Sequence, residues 1–201
     1  MTLRQMAGMP AAQTPSPVNT ALLLIDFQRE YVDGALPLSD GAHAASRAGE
    51  LVAMAERVGV PVIHVYHEAA SALAPVFAPG SPGVRAMSEV PVASGHHRIV
   101  KRWPSSFKGT SLQAHLQDLK VQHLVVAGLM THNCVDSTAR EALHLGYAVT
   151  VVDDACATRD LPDTQGGVIP ASEVHRVSLA ALADRHADVV RAAEVVSAWR
   201  A

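Results

Sequence analysis

The run Ala21-Leu22-Leu23-Leu24-Ile25 has no polar residue at either set of alternating positions. A strand with one wet face alternates between apolar and polar residues. A strand that is apolar throughout is buried on both faces, which marks a parallel sheet sandwiched between helices. The rest of the chain keeps to that pattern. Strands are predicted from Val60 through Val65, over 98–101, 122–127 and 147–152, and from Ala187 to Val190. Between them, apolar residues recur every three or four positions. Ala44, Ala48, Leu51, Ala55 and Val58 predict a helix over 41–58, stopped by Gly59. Leu112, Leu116 and Leu119 predict another. Val135, Thr138, Ala139 and Ala142 place a third over 133–145, ending at Gly146. Val174, Val177, Leu179 and Leu182 mark a fourth, with Ser172 as its N-cap, and residues 192–199 a last one. Strand–helix alternation of this kind predicts an α/β fold: three αβα layers around a six-stranded, mainly parallel sheet, Rossmann-like in outline.

Composition supports a single core. The chain has 201 residues, 49% hydrophobic and 17% charged, as expected for one globular domain, assigned to residues 18–201. Residues 1–17 carry Gly8, Pro10, Pro15 and Pro17 without periodicity and are expected to form a flexible tail. The net charge of −3 points away from nucleic acid and anionic membranes as partners. No apolar run approaches the roughly 20 residues that span a bilayer, and the tail lacks a signal-peptide core. There are two cysteines, Cys134 and Cys156. Such low usage fits a reducing cytoplasm, although the sequence alone leaves a disulfide between them open.

In doubly wound sheets, ligands collect beyond the carboxyl ends of the strands. Three reactive side chains fall there: Asp26 after the first strand, Lys101 at the end of the third, and Cys134 after the fourth. Together they suit nucleophilic attack on an amide or ester carbonyl. Cys134 is expected in the first turn of its helix, where free N–H groups and the dipole would lower its pKa and hold an oxyanion. Asp26 would take the thiol proton and later return it to the leaving group. A carboxylate beside a thiolate is unfavourable, and the Lys101 ammonium between them relieves it. The backbone N–H groups of Met130 and Cys134 are the expected oxyanion donors. Phe27, Tyr31, His67, Trp103, His132 and Asn133 are candidate substrate contacts, while Glu173 and His175 are assigned to a helix or subunit contact. The long segment 68–95 reads as a pocket-shaping loop. A nucleotide-binding reading fails because Asp26-Phe27-Gln28 stands where a Gly-rich phosphate turn would follow the first strand.

Three motifs in order, Leu23-Leu24-Ile25-Asp26-Phe27-Gln28, Lys101-x-x-x-Ser105-Ser106-Phe107-x-Gly109-Thr110-x-Leu112 and Gly128-Leu129-Met130-Thr131-x-x-Cys134-Val135, closely resemble the isochorismatase-like cysteine hydrolases. That superfamily includes nicotinamidases, N-carbamoylsarcosine amidases and streptothricin-hydrolase-type members. The resemblance spans about residues 19–190. It implies an Asp26–Lys101–Cys134 triad, a cis peptide between Leu129 and Met130, and a homodimer or homotetramer. Nicotinamidases of this group carry an Asp-x-His metal pair after the second strand. Here the corresponding stretch is His64-Val65-Tyr66-His67, so no metal and no other cofactor is expected. The cysteine argues for cleavage of a C–N bond of a small molecule, in an amide, a carbamoyl or ureido group, or a lactam. The rival expectation is a catalytically silent binding or scaffolding member of the same fold.

Overall fold

The computed structural model describes residues 1–8 and 15–200. In chain order the elements are α1 (Leu3–Met6), β1 (Thr20–Ile25), α2 (Gly41–Val58), β2 (Val62–His67), β3 (His97–Lys101), α3 (Leu112–Asp118), β4 (His123–Leu129), α4 (Asp136–His144) and β5 (Ala148–Ala157). A small hairpin, β6 (Leu161–Pro162) with β7 (Val168–Ile169), then precedes α5 (Ala171–Arg185), β8 (Asp188–Val190) and α6 (Ala192–Arg200). The main sheet has six strands in the order β3-β2-β1-β4-β5-β8, and every pairing is parallel. The chain therefore reverses its direction of winding between β1 and β4, and the crevice at such a reversal is where ligands enter these sheets.

The unbroken apolar run of β1 feeds both faces. Leu22 and Leu24 pack with Ala44, Ala48, Leu51 and Ala55 of α2 and with Val195 and Trp199 of α6. Ala21, Leu23 and Ile25 pack on the opposite side with Leu112 and Leu116 of α3, Ala139 and Ala142 of α4, and Leu182 of α5. Each fully buried leucine contributes about 1.5–3 kcal/mol through loss of apolar surface to water. Helix α2 spans the residues its periodicity predicts, and Gly59 closes it at φ +74°, a left-handed conformation that a residue with a Cβ resists.

Ile25 of β1 and Gly128 of β4 are register partners. A Cβ on Gly128 would stand 2.6 Å from both the Cβ and the carbonyl oxygen of Ile25. Backbone cannot yield there as a side-chain tip would. Gly128→Ala is therefore expected to destabilise the fold by about 1–3 kcal/mol. A thermal melt tests this, and an unchanged midpoint would show that the strands part freely.

Several expectations are corrected. β2 starts at Val62, after Pro61, and runs on to His67. β5 has ten residues and continues through Asp153 and Asp154, which had been expected to end it. A register shift between Val126 and Gly128 lets β5 pair again with β4, at Gly128–Cys156 and Leu129–Ala157. The two carboxylates find partners in His175 and in the Ala192 N–H. Ser172 is not a cap: α5 begins at Ala171, whose N–H is taken by the Asp160 carboxylate. The described parts of the tail make contacts of their own and with the domain. Thr2 and Gln5 form a capping box on α1, Arg4 pairs with Asp188 at 2.7 Å, and Trp199 Nε1 donates to the Pro15 carbonyl. Residues 9–14 of that tail lie outside the described residues. No helix among the described residues is long and apolar enough to cross a membrane.

Candidate active site

The chain leaves β1 through Asp26 at φ +55°, in the left-handed region. That conformation costs a non-glycine residue about 1–2 kcal/mol, least for Asp and Asn. It turns the chain sharply while the Asp26 N–H still bonds the Val65 carbonyl of β2. Gln28 then acts as a strand substitute. Its side-chain amide accepts from the His67 N–H at 2.7 Å and donates to the carbonyls of His67 and Val84. The exit from β1 is thereby locked to the end of β2.

Lys101 ends β3, two strands away, yet only 1% of it is exposed. Its Nζ lies 2.7 Å from Asp26 Oδ2, 3.2 Å from Cys134 Sγ and 3.3 Å from His67 Nδ1. Cys134 sits in a wide π-type turn, Thr131–Val135, between the end of β4 and α4. The peptide Leu129–Met130 before that turn is cis. The Met130 carbonyl closes the turn by accepting from the N–H groups of Asn133 and Val135. Three side chains more than thirty residues apart in sequence thus meet at one buried point.

The sequence between Lys101 and α3 explains its own motif. Ser106 bonds the Thr138 hydroxyl through both its N–H and its Oγ, each at 3.0 Å, and Ser105 reaches Glu141. Thr110 Oγ1 donates back to the Ser106 carbonyl at 2.7 Å. The loop after the lysine is therefore fastened to the helix that follows the cysteine, which fixes the distance between the two.

The electrostatics reverse one expectation. Cys134 was expected to carry a lowered pKa. Instead burial, and after it the Asp26 carboxylate, push the thiol well above its ordinary range, with Lys101 opposing. The Lys101 ammonium loses solvation on burial, but Asp26 and Cys134 more than compensate and raise its pKa. The physical reason is charge neutrality. Carboxylate, ammonium and thiol sum to zero, and loss of the thiol proton to solvent would leave a net negative charge in a closed site. A helix-start dipole is too small to offset that. Iodoacetamide should accordingly label Cys134 slowly at neutral pH. Its rate should show no inflection near the roughly 8.5 of a free thiol. A plateau reached by pH about 8 would contradict this.

The candidate contact residues divide. His67 touches Lys101, and burial together with that ammonium lowers its pKa, so the neutral ring accepts from Nζ. Tyr31 is buried, and its hydroxyl pKa is raised by burial and then by Asp26 and Cys134, which places it beside the centre. Phe27 is buried in the α2-side core. Trp103 is 57% exposed and lies on the surface. His132 pairs with the Thr158 hydroxyl, and Asn133 is half-buried in the turn that carries Cys134. His64 is drawn away into a contact with His96, and its pKa falls to about 4 through burial and that neighbour. Phe77 was missed. It comes from the 68–95 segment and sets its ring edge-on to both Tyr31 and His67, at centroid separations of 5.3 and 5.1 Å. Only its apolar character within a Pro- and Gly-rich stretch marked it in the sequence. His175, assigned to a helix or a subunit contact, is in α5 and bonds Thr131 of the turn that carries Cys134. Cys156 is a buried free thiol, and burial lifts its pKa to about 12.

An aspartate, a lysine and a cysteine thus meet at the carboxyl edge of a parallel sheet ordered β3-β2-β1-β4-β5-β8. Residues 20–194 match the isochorismatase domain family, and the chain belongs to that family. It is 39% identical to the isochorismatase family protein YddQ of Bacillus subtilis (strain 168), over 86% of this chain and 96% of that one. It is 34% identical to a streptothricin hydrolase of Streptomyces noursei, over 87% of this chain and 63% of that protein. The crystal structure of a cysteine hydrolase from Pseudomonas syringae pv. phaseolicola 1448A superposes with a TM-score of 0.89. Its identity is 26%, and the match covers 95% of this chain and 97% of that one.

Proposed function

We propose that the protein is a metal-independent cysteine hydrolase that cleaves a C–N bond of a small molecule: an amide, a carbamoyl or ureido group, or a lactam. The observation that carries this reading is the buried Lys101 ammonium, 2.7 Å from Asp26 and 3.2 Å from Cys134. An ion pair this deeply enclosed is a poor stabilising device, because desolvation consumes most of the attraction. Its retention next to a thiol is better explained by chemistry.

The steps follow from neutrality. Asp26 takes the Cys134 proton on Oδ1, since Lys101 engages Oδ2 and Oδ1 has no hydrogen-bond partner among the described residues. The site then holds carboxylic acid, ammonium and thiolate, and its net charge is unchanged. The thiolate attacks the substrate carbonyl, and the N–H groups of Met130 and Cys134 receive the oxyanion. As the tetrahedral centre collapses, the C–N bond breaks and Asp26 returns its proton to the departing nitrogen, leaving a thioester on Cys134. Asp26 next deprotonates a water, which attacks the thioester. Collapse releases the acid, and the proton passes back to the sulfur. Tyr31, His67 and Phe77 form the wall beside the reacting carbonyl. Streptothricin hydrolase, among the relatives, supports a hydrolytic reading by its name. We further propose that the protein works as a homodimer or homotetramer.

The test is a panel of small amides, carbamoyl compounds and lactams, assayed for released ammonia or acid with and without a chelator. Turnover of at least one class, unaffected by the chelator, is expected. Inertness toward all of them, with Cys134 never acylated, would favour a silent binding protein.

A further inference from the structure

Behind the nucleophile turn lies a chain of polar groups that the proposed chemistry does not use. Thr131 opens the turn and is completely buried. Its Oγ1 is 2.9 Å from Nδ1 of His175 on α5. Nε2 of the same ring is 2.9 Å from Oδ1 of Asp153 on β5. These residues stand 44 and 22 positions apart in sequence, so no local preference explains the alignment.

The donor and acceptor roles follow from chemistry. A carboxylate can only accept, so the His175 hydrogen sits on Nε2. With that hydrogen on Nε2, a ring carrying no second proton presents a bare Nδ1, to which the Thr131 hydroxyl donates. We infer that Asp153, His175 and Thr131 are positioning residues that hold the nucleophile turn, and with it the Cys134 sulfur, at the geometry attack requires. Thr131 is no second nucleophile, because it is sealed from solvent. A parallel tie, from His132 to Thr158 just past β5, holds the next residue of the turn to the same side. Besides these two side-chain bonds, the turn is closed by the Met130 carbonyl, which accepts from the N–H groups of Asn133 and Val135 at 3.1 and 3.3 Å, and by the Asp136 N–H, which donates to the carbonyls of Thr131 and Asn133.

This inference rests on the proposed role of Cys134, so its test has two independent arms. In the first, 15N chemical shifts of the His175 ring are recorded at mildly alkaline pH. The Nε2–H tautomer is expected, and an Nδ1–H tautomer would overturn the chain whatever Cys134 does. In the second, p-nitrophenyl acetate serves as acyl donor, and acetylation of Cys134 is followed by mass spectrometry. Thr131→Val and His175→Leu should each slow acetylation about ten- to a hundredfold, the range small misplacements of reacting groups produce. The double variant should be no slower than the worse single, as for two members of one unit. Thr131→Ser and His175→Asn, which keep a hydroxyl and an Nδ1-like acceptor, should recover most of the rate at similar melting temperature. Wild-type rates in Thr131→Val and His175→Leu, or losses that simply multiply in the double variant, would overturn the inference. If wild-type Cys134 is never acetylated, the proposed nucleophile falls, and the tautomer alone then decides for or against the chain.

Discussion

Replacing Cys134 by serine is expected to reduce turnover a thousandfold or more, on the order of losses seen when a nucleophile is removed. The reason lies in the surroundings more than in the atom. Asp26, as placed, has to accept a proton from the nucleophile, and a serine hydroxyl surrenders its proton far less readily than a thiol already biased against ionisation. The fold should survive, because the substitution removes little volume from a site that is buried but polar. Cys134→Ala should likewise retain the fold and hold substrate without converting it, which turns the variant into bait for identifying that substrate. The measurement is steady-state turnover on whichever member of the amide panel the wild type accepts, alongside a thermal melt. Retained turnover in the serine variant would remove Cys134 from its proposed role.

Lys101→Met should have the second large effect, this time on stability. It leaves the Asp26 carboxylate enclosed with no cation, and breaking one side of a buried ion pair costs about 3–5 kcal/mol. Asp26→Asn should be nearly as harmful, for the mirror-image reason. The double variant Asp26→Asn, Lys101→Met removes both charges. It is expected to regain much of the lost stability while remaining inactive. Denaturant melts of the three proteins distinguish this from simple packing loss, under which the two single costs would add. Additive costs would show that the pair matters as volume rather than as charge.

Much of this was legible in the residue order, for reasons that differ from element to element. Helix α2 could be placed at both ends because Ala44, Ala48, Leu51 and Ala55 fix its face and Gly59 ends it. Both signals are local. The meeting of Asp26, Lys101 and Cys134 followed from topology, since all three stand at carboxyl ends of strands that share one sheet. What escaped was set by three-dimensional neighbours. The ionisation state of Cys134 depends on how completely other segments cover it, and desolvation leaves no mark on spacing. β5 outran its predicted end because Asp153 and Asp154 find partners on α5 and at the start of α6. His175 looked like any helix residue because its two partners come from separate segments, the turn after β4 and the middle of β5. Phe77 was hidden in a stretch without period, where only folding decides which apolar side chain turns inward.

Enclosure of the Asp26–Lys101 pair has one more consequence. Dissolved ions weaken attraction only between groups that water can reach, and neither side chain here offers any surface to it. Concentrated brine should leave this pair as strong as fresh buffer does. Any sensitivity of the protein to ionic strength will therefore report on the rim of the cleft and not on its centre.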